Sequence, residues 1–244
     1  MAGSAAELGS LLCVFAHPDD EAYLAGALMA VAVDAGRRVV CVTATRGELG
    51  FSDDDPRSLD ERKAIREAEL RACLDVLGVR EHIWLDYPDS GCAAVPVDEP
   101  VARMRAIVDE MRPDTVLTFG PDGGTYHDDH IAVGHWTSLA CRAASSAPRL
   151  LYATNTPEWV ERFEAAVTMD AVMMADDLAP PTTPADELAV HFVADDELAE
   201  RKVRALRCQA SQVEPLVEQA GADVFRELVR EESFRAPAPD DWSV

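Results

Sequence analysis

Short apolar runs alternate along this chain with longer stretches of helical spacing. Runs at 10–16 (SLLCVFA), 38–45, 82–86 and 114–119 have the length and β-branched content of buried strands. Between them, 21–35, 58–77, 98–112 and 130–146 place apolar residues three and four apart, the period of amphipathic helices. This β-α-β rhythm predicts an α/β fold, a Rossmann-like, doubly wound, mostly parallel sheet whose ligands bind beyond the carboxyl ends of the strands. After RLLYATNT (149–156) the pattern weakens through PEWVERFEAAV and a Pro/Asp-rich stretch to about 187, then resumes with a strand at 189–194 and a long helix from about 195. The expectation is one domain over 1–244, with a core to about 156 and C-terminal cap elements from about 157.

Two interruptions carry the candidate chemistry. The first strand ends in AHPDDE (16–21), where a histidine and three consecutive carboxylates crowd a core strand. Helix capping accounts for one of those carboxylates. The others repel one another and are costly to bury unless a positive group sits among them. The second interruption, GPDGGTYHDDHIAVGHW, follows the strand DTVLTF and opens another helix, with His127 and His130 three residues apart. Both clusters fall at carboxyl ends of predicted parallel strands, which the fold brings to one crevice. A catalytic zinc ion, taking about three protein ligands and leaving a position for water, explains the pairing. His17, Asp20 and His130 supply such a set, one ion per chain, with other divalent ions as substitutes. The ion would make hydroxide available near neutral pH, and Asp19 would take the water's proton. GPDGG lacks G-x-G-x-x-G spacing and a following lysine, which argues against a dinucleotide or phosphate cradle.

Composition narrows the context. The six cysteines lie singly, without a C-x-x-C pair, as expected for reduced thiols in a cytoplasmic protein, so a metal must rest on His and carboxylate. No run approaches the roughly 18 apolar residues of a membrane span, and the N-terminal stretch has no basic region or small-residue cleavage site, so no export signal is expected. A formal net charge of −23 repels phosphate backbones and anionic lipid, which excludes nucleic acid and membrane surfaces as partners. Oligomeric state is left open, a homo-oligomer included.

AHPDDE (16–21), TRGELG (45–50), IREAELRACLDVLGV (65–79), DYPDSG (86–91), HDDHIAVG (127–134) and KVRALRCQASQ (202–212) together resemble the LmbE-like (PIG-L) family of zinc-dependent N-acetylglucosaminyl deacetylases. The resemblance implies zinc on His17, Asp20 and His130 and a general base at Asp19. It further implies that His127 polarises the amide oxygen or protonates the leaving amine, with Asp129 holding its ring. Arg46, Arg66 and Asp89 would face the substrate, a small N-acetylated amino sugar or glycoside. The chain departs from the family pattern at Asp128, where proline is usual, at Thr125, where some members have a tyrosine, and at Gln209, where histidine is common. Hydrolysis of a bulkier amide and non-catalytic sugar binding stand as the alternatives. Loops 48–60, 87–98 and 165–188 would set the substrate.

Overall fold

The computed structural model describes residues 5–168, 173–175 and 178–242; the predicted specificity loop 165–188 lies partly outside them. Strands β1 (Leu11–Phe15), β2 (Val39–Thr43), β3 (Glu81–Trp84), β4 (Thr115–Phe119) and β5 (Arg149–Thr154) pair in parallel in the order β3-β2-β1-β4-β5. β1, β2 and β4 are buried along their whole length, as a sheet covered on both faces requires. The crossovers are α1 (Asp20–Asp34), α2 (Leu59–Leu77), α3 (Asp98–Met111) and α4 (Asp128–Ala143). α2 opens on a capping box between Ser58 and Glu61 and stops at Gly78, whose φ of 83° is the left-handed cap glycine supplies at no steric cost. The chain reverses direction across the sheet between β1 and β4, so the two histidine clusters meet at the switch point. α4 packs closely on β4 through Gly134: a Cβ there would lie 2.6 Å from the Phe119 carbonyl oxygen.

Past β5 the chain forms α5 (Pro157–Glu164), β6 (Val190–Val193), α6 (Asp196–Arg207), α7 (Ala210–Ala220), α8 (Ala222–Val229) and β7 (Glu231–Arg235). The single long helix expected from about 195 is three helices, broken at Cys208–Gln209 and at Gly221. The segment expected to cap the core also extends the sheet: β7 pairs antiparallel with both β5 and β6. β7 escaped the sequence reading because Glu232, its second residue, looks like a surface charge. It is instead paired with Lys202 at 2.6 Å, both side chains fully buried. The Glu232 carboxylate accepts from the Ala27 and Leu28 amides (2.7 and 2.9 Å), and Lys202 Nζ donates to the Tyr23 carbonyl (2.7 Å). A buried ion pair persists only with its hydrogen bonds filled, and here they tie α6 and β7 to α1.

Candidate metal centre and active site

The turn after β1 is built around an unusual backbone. Asp19 has φ 110° and ψ −37°, a conformation rare for any residue but glycine, and its side chain makes no capping bond to α1. Surrounding groups hold it there. Arg66, 2% exposed, donates to the Pro18 and Gly47 carbonyls, and the Asp19 amide donates to Glu21 Oε2 (3.0 Å). Glu21 is fully buried, accepts from Gln209 Nε2 (2.6 Å), and has its pKa pushed up to about 8 by burial and by the Asp19 charge. Gln209, where the family commonly has histidine, therefore acts on this turn through Glu21. The Asp19 carboxyl lines the cavity 3.5 Å from Arg66. Burial raises its pKa to about 7 against the opposing pull of the guanidinium.

His17, Asp20 and His130 converge. His17 Nδ1 and His130 Nε2 are 3.1 Å apart; Asp20 oxygens lie 3.6 Å from the first and 3.4 Å from the second. The far nitrogens are both anchored. His130 Nδ1 donates to the Gly123 carbonyl (2.9 Å), and His17 Nε2 faces Asp89 Oδ1 (3.2 Å) and Asp129 Oδ2 (3.3 Å). Those partners leave a lone pair on the inner nitrogen of His130, and on that of His17 once its inner proton gives way to a cation. Two lone pairs and a carboxylate so close repel unless a proton or a cation lies among them. Four-coordinate zinc, with bonds of about 2.1 Å, sets its donors about 3.4 Å apart, so the donor set fits a metal ion of that size. Burial holds His130 neutral by lowering its pKa to about 4, while Phe119 stacks on its ring at 4.1 Å. Burial also opposes charge on His17, but hydrogen bonds to Asp129, Asp20 and Asp89 outweigh it and raise its pKa well above the ordinary histidine range.

His127 sits beside this centre, its ring 4.7 Å from that of His17 and 4.9 Å from that of His130. The three histidines lie close enough for one ion to reach all of them. His127, however, caps α4: its Nδ1 accepts from the Asp129 amide (3.1 Å), which places the ring proton on Nε2. Here the expected role of Asp129 needs correction. It holds the His127 ring through its backbone N–H, whereas its carboxylate accepts from the Ser90 and Cys92 amides (2.7 and 2.9 Å) and turns to His17. The reason is local: at the start of a helix the free amide is the nearer partner for the capping side chain.

Of the three expected substrate contacts, Arg66 and Asp89 border the cavity and Arg46 does not. Arg46 stacks over Trp84 (4.0 Å) and is committed to Asp86 (2.7 Å) and Glu67, outside the cavity. Arg66 borders the cavity with its guanidinium on the Pro18 and Gly47 carbonyls and 3.5 Å from the Asp19 carboxylate. Asp89 turns one oxygen to His17 and accepts the Leu49 amide with the other (2.7 Å). Asp128 is exposed at the first position of α4, so the missing proline leaves the donor set untouched. Thr125 lines the cavity, and the Tyr126 hydroxyl donates to the Ala179 carbonyl. His135 stacks on Trp242, His82 meets Trp84, and His191 meets Glu231, all apart from the centre. Sequence reasoning missed the Gly123 carbonyl and the Glu21–Gln209 contact. A backbone acceptor leaves no sequence signal, and Glu21 reads simply as a first-turn helix residue.

His17, Asp19, Asp20, His127 and His130 border one cavity of about 660 Å³. Residues 12–141, which carry both clusters, match the family model described as GlcNAc-PI de-N-acetylase (PIG-L). Two relatives are named 1D-myo-inositol 2-acetamido-2-deoxy-alpha-D-glucopyranoside deacetylase. The one from Acidothermus cellulolyticus is 32% identical, over 84% of this chain and 80% of that protein. The one from Nakamurella multipartita is 33% identical, over 96% and 93%. Among solved structures, N,N'-diacetylchitobiose deacetylase from Pyrococcus horikoshii superposes with a TM-score of 0.65 at 22% identity, covering 93% of this chain and 83% of that one, a likeness of fold. The family model and the near-full-length relatives agree: this chain belongs to the GlcNAc-PI de-N-acetylase (PIG-L) family.

Proposed function

We propose that this protein is a zinc-dependent hydrolase that removes the N-acetyl group from a GlcNAc-containing small molecule or glycoside. The observation that carries the reading is the convergence of two imidazole nitrogens and the Asp20 carboxylate at 3.1–3.6 Å, with both imidazoles anchored from behind. His17, Asp20 and His130 would hold the ion. When bound, it supplies a positive centre that acidifies water and draws electron density from the amide oxygen.

The chain's own groups do the rest. Asp19, which borders the cavity, accepts the proton of the attacking water. Burial lowers the pKa of His127 and keeps its ring neutral, so its Nε2–H donates to the oxygen on which negative charge develops. Water adds at the amide carbon, the C–N bond breaks, and the proton held by Asp19 passes to the leaving nitrogen. Acetate and a free amine result. Acetate release from a panel of GlcNAc glycosides, followed by mass spectrometry of the sugar product, tests the reading; a protein that binds these glycosides without releasing acetate would refute it.

Two substitutions separate the roles. His127→Ala is expected to keep one equivalent of metal while kcat falls about 10²- to 10³-fold, the scale of one lost oxyanion donor. Loss of the metal with the side chain would make His127 a ligand instead. Asp129→Asn leaves a single acceptor oxygen facing the three N–H groups of Ser90, Cys92 and His17. A ligand freed from its anchoring carboxylate typically costs 10- to 100-fold in metal affinity. Competition against a chromogenic chelator measures that loss, and an unchanged affinity would return Asp129 to a role on His127 alone.

A further inference from the structure

The segment CQASQ (208–212) joins α6 to α7, far along the chain from both histidine clusters, yet it reaches the turn that carries Asp19. Gln209, at the break between the helices, is fully buried, a costly place for an amide unless its hydrogen bonds are used. Its Nε2 donates to Glu21 Oε1 (2.6 Å), and its Oε1 finds no partner among the described residues. The segment is fastened beside it: Ser211 donates its amide and hydroxyl to Glu69 on α2 (2.8 and 2.6 Å), and Gln212 Nε2 donates to the Gly50 carbonyl (2.9 Å). The other oxygen of Glu21 accepts the Asp19 amide, while Arg66 donates to the Pro18 carbonyl. That carbonyl and that amide belong to one planar peptide, which is therefore gripped at both ends. With α1 fixed on the other side of Asp19, its φ of 110° can fall back to an ordinary value only if that plane turns, which breaks both grips. We propose that Gln209 is a positioning residue for the general base: by fixing Glu21 it keeps the Pro18–Asp19 peptide in place, and with it the Asp19 carboxylate. The proposal rests on the reading of Asp19 as the base and adds to it a contact from the C-terminal part of the chain.

The test compares metal-loaded wild type, Gln209→Met, Asp19→Asn and the double variant, on the GlcNAc glycoside of the panel that the wild type deacetylates fastest. Methionine keeps the length and packing of Gln209 without its N–H donor. A misplaced base slows the chemistry without loosening substrate, so Gln209→Met is expected to lower kcat about 10- to 100-fold, with KM and metal content within about twofold of wild type. In the Asp19→Asn background no base is left to position, and the same substitution should cost less than about twofold. Gln209→His returns an N–H donor of similar reach and should recover most of the lost kcat. Gln209→Asn, which draws the amide back by one carbon, should give a smaller loss in the same sense and decides the matter if the methionine variant does not fold. Wild-type kcat in the folded methionine or asparagine variant overturns the proposal, as does an equal fold-loss in the Asp19→Asn background, a loss confined to KM, loss of the metal, or a histidine variant as slow as the methionine one. Each of these leaves the deacetylase reading standing. Wild-type turnover in Asp19→Asn overturns the base and its positioning together, and no acetate from any glycoside overturns the deacetylase reading with them.

Discussion

His130→Ala is expected to abolish stoichiometric binding of a divalent ion and, with it, detectable turnover, while the protein stays folded. His130 contributes its inner nitrogen to the 3.1 Å gap opposite His17 and is buried against Phe119. Its removal leaves His17 and Asp20, one donor short of the three protein ligands of a catalytic zinc site. Truncating a buried ring also costs some stability, so circular dichroism and the melting temperature must accompany the metal analysis. Native metal content in the folded variant would show the ligand set to be different, with His127 the first candidate to replace it.

The second large effect is on Asp19. Asp19→Asn preserves size, and asparagine tolerates positive φ better than most residues, so the turn held by Arg66 and Glu21 should survive. Metal content and melting temperature are expected to hold while kcat falls about 10²- to 10⁴-fold, the contribution of a general base. The wild-type pH profile gives the same residue a second test. A base works only when deprotonated, so kcat/KM must rise with pH through an acidic limb. In the metal-free chain burial sets the Asp19 pKa at about 7; the charge of a bound ion acts in the opposite direction, so the limb should lie at or below about pH 7. Asp19 and the attacking water titrate together, so the limb belongs to both. An asparagine variant with wild-type turnover would remove Asp19 from the chemistry.

Much of the centre was legible in the chain itself. AHPDDE after an apolar run, and H-x-D-H after another, mark two strand ends, and the alternation of strands and helices brings those ends together; His17, Asp20 and His130 do meet there. What sequence could not supply was which atom faces which. Asp129 lies one residue from His130 and two from His127, yet its carboxylate turns to His17 because Ser90 and Cys92 present their amides on that side. Arg66 and Arg46 read as cationic groups near a site. Folding commits the first to the Pro18 and Gly47 carbonyls and the second to Trp84, Asp86 and Glu67. β7 was hidden for a related reason: the partner that lets Glu232 sit inside a strand is Lys202, thirty residues earlier. Pairings across such distances depend on the folded topology and leave no local pattern.

The central claim is that hydrolysis depends on an ion held by His17, Asp20 and His130. The most direct measurement is acetate release from a GlcNAc glycoside by protein stripped of metal and then titrated with zinc. The account predicts no turnover without metal, with activity rising in proportion to the ion bound and reaching its maximum at one equivalent per chain. Full turnover by the stripped protein, with metal content verified by elemental analysis, would contradict it.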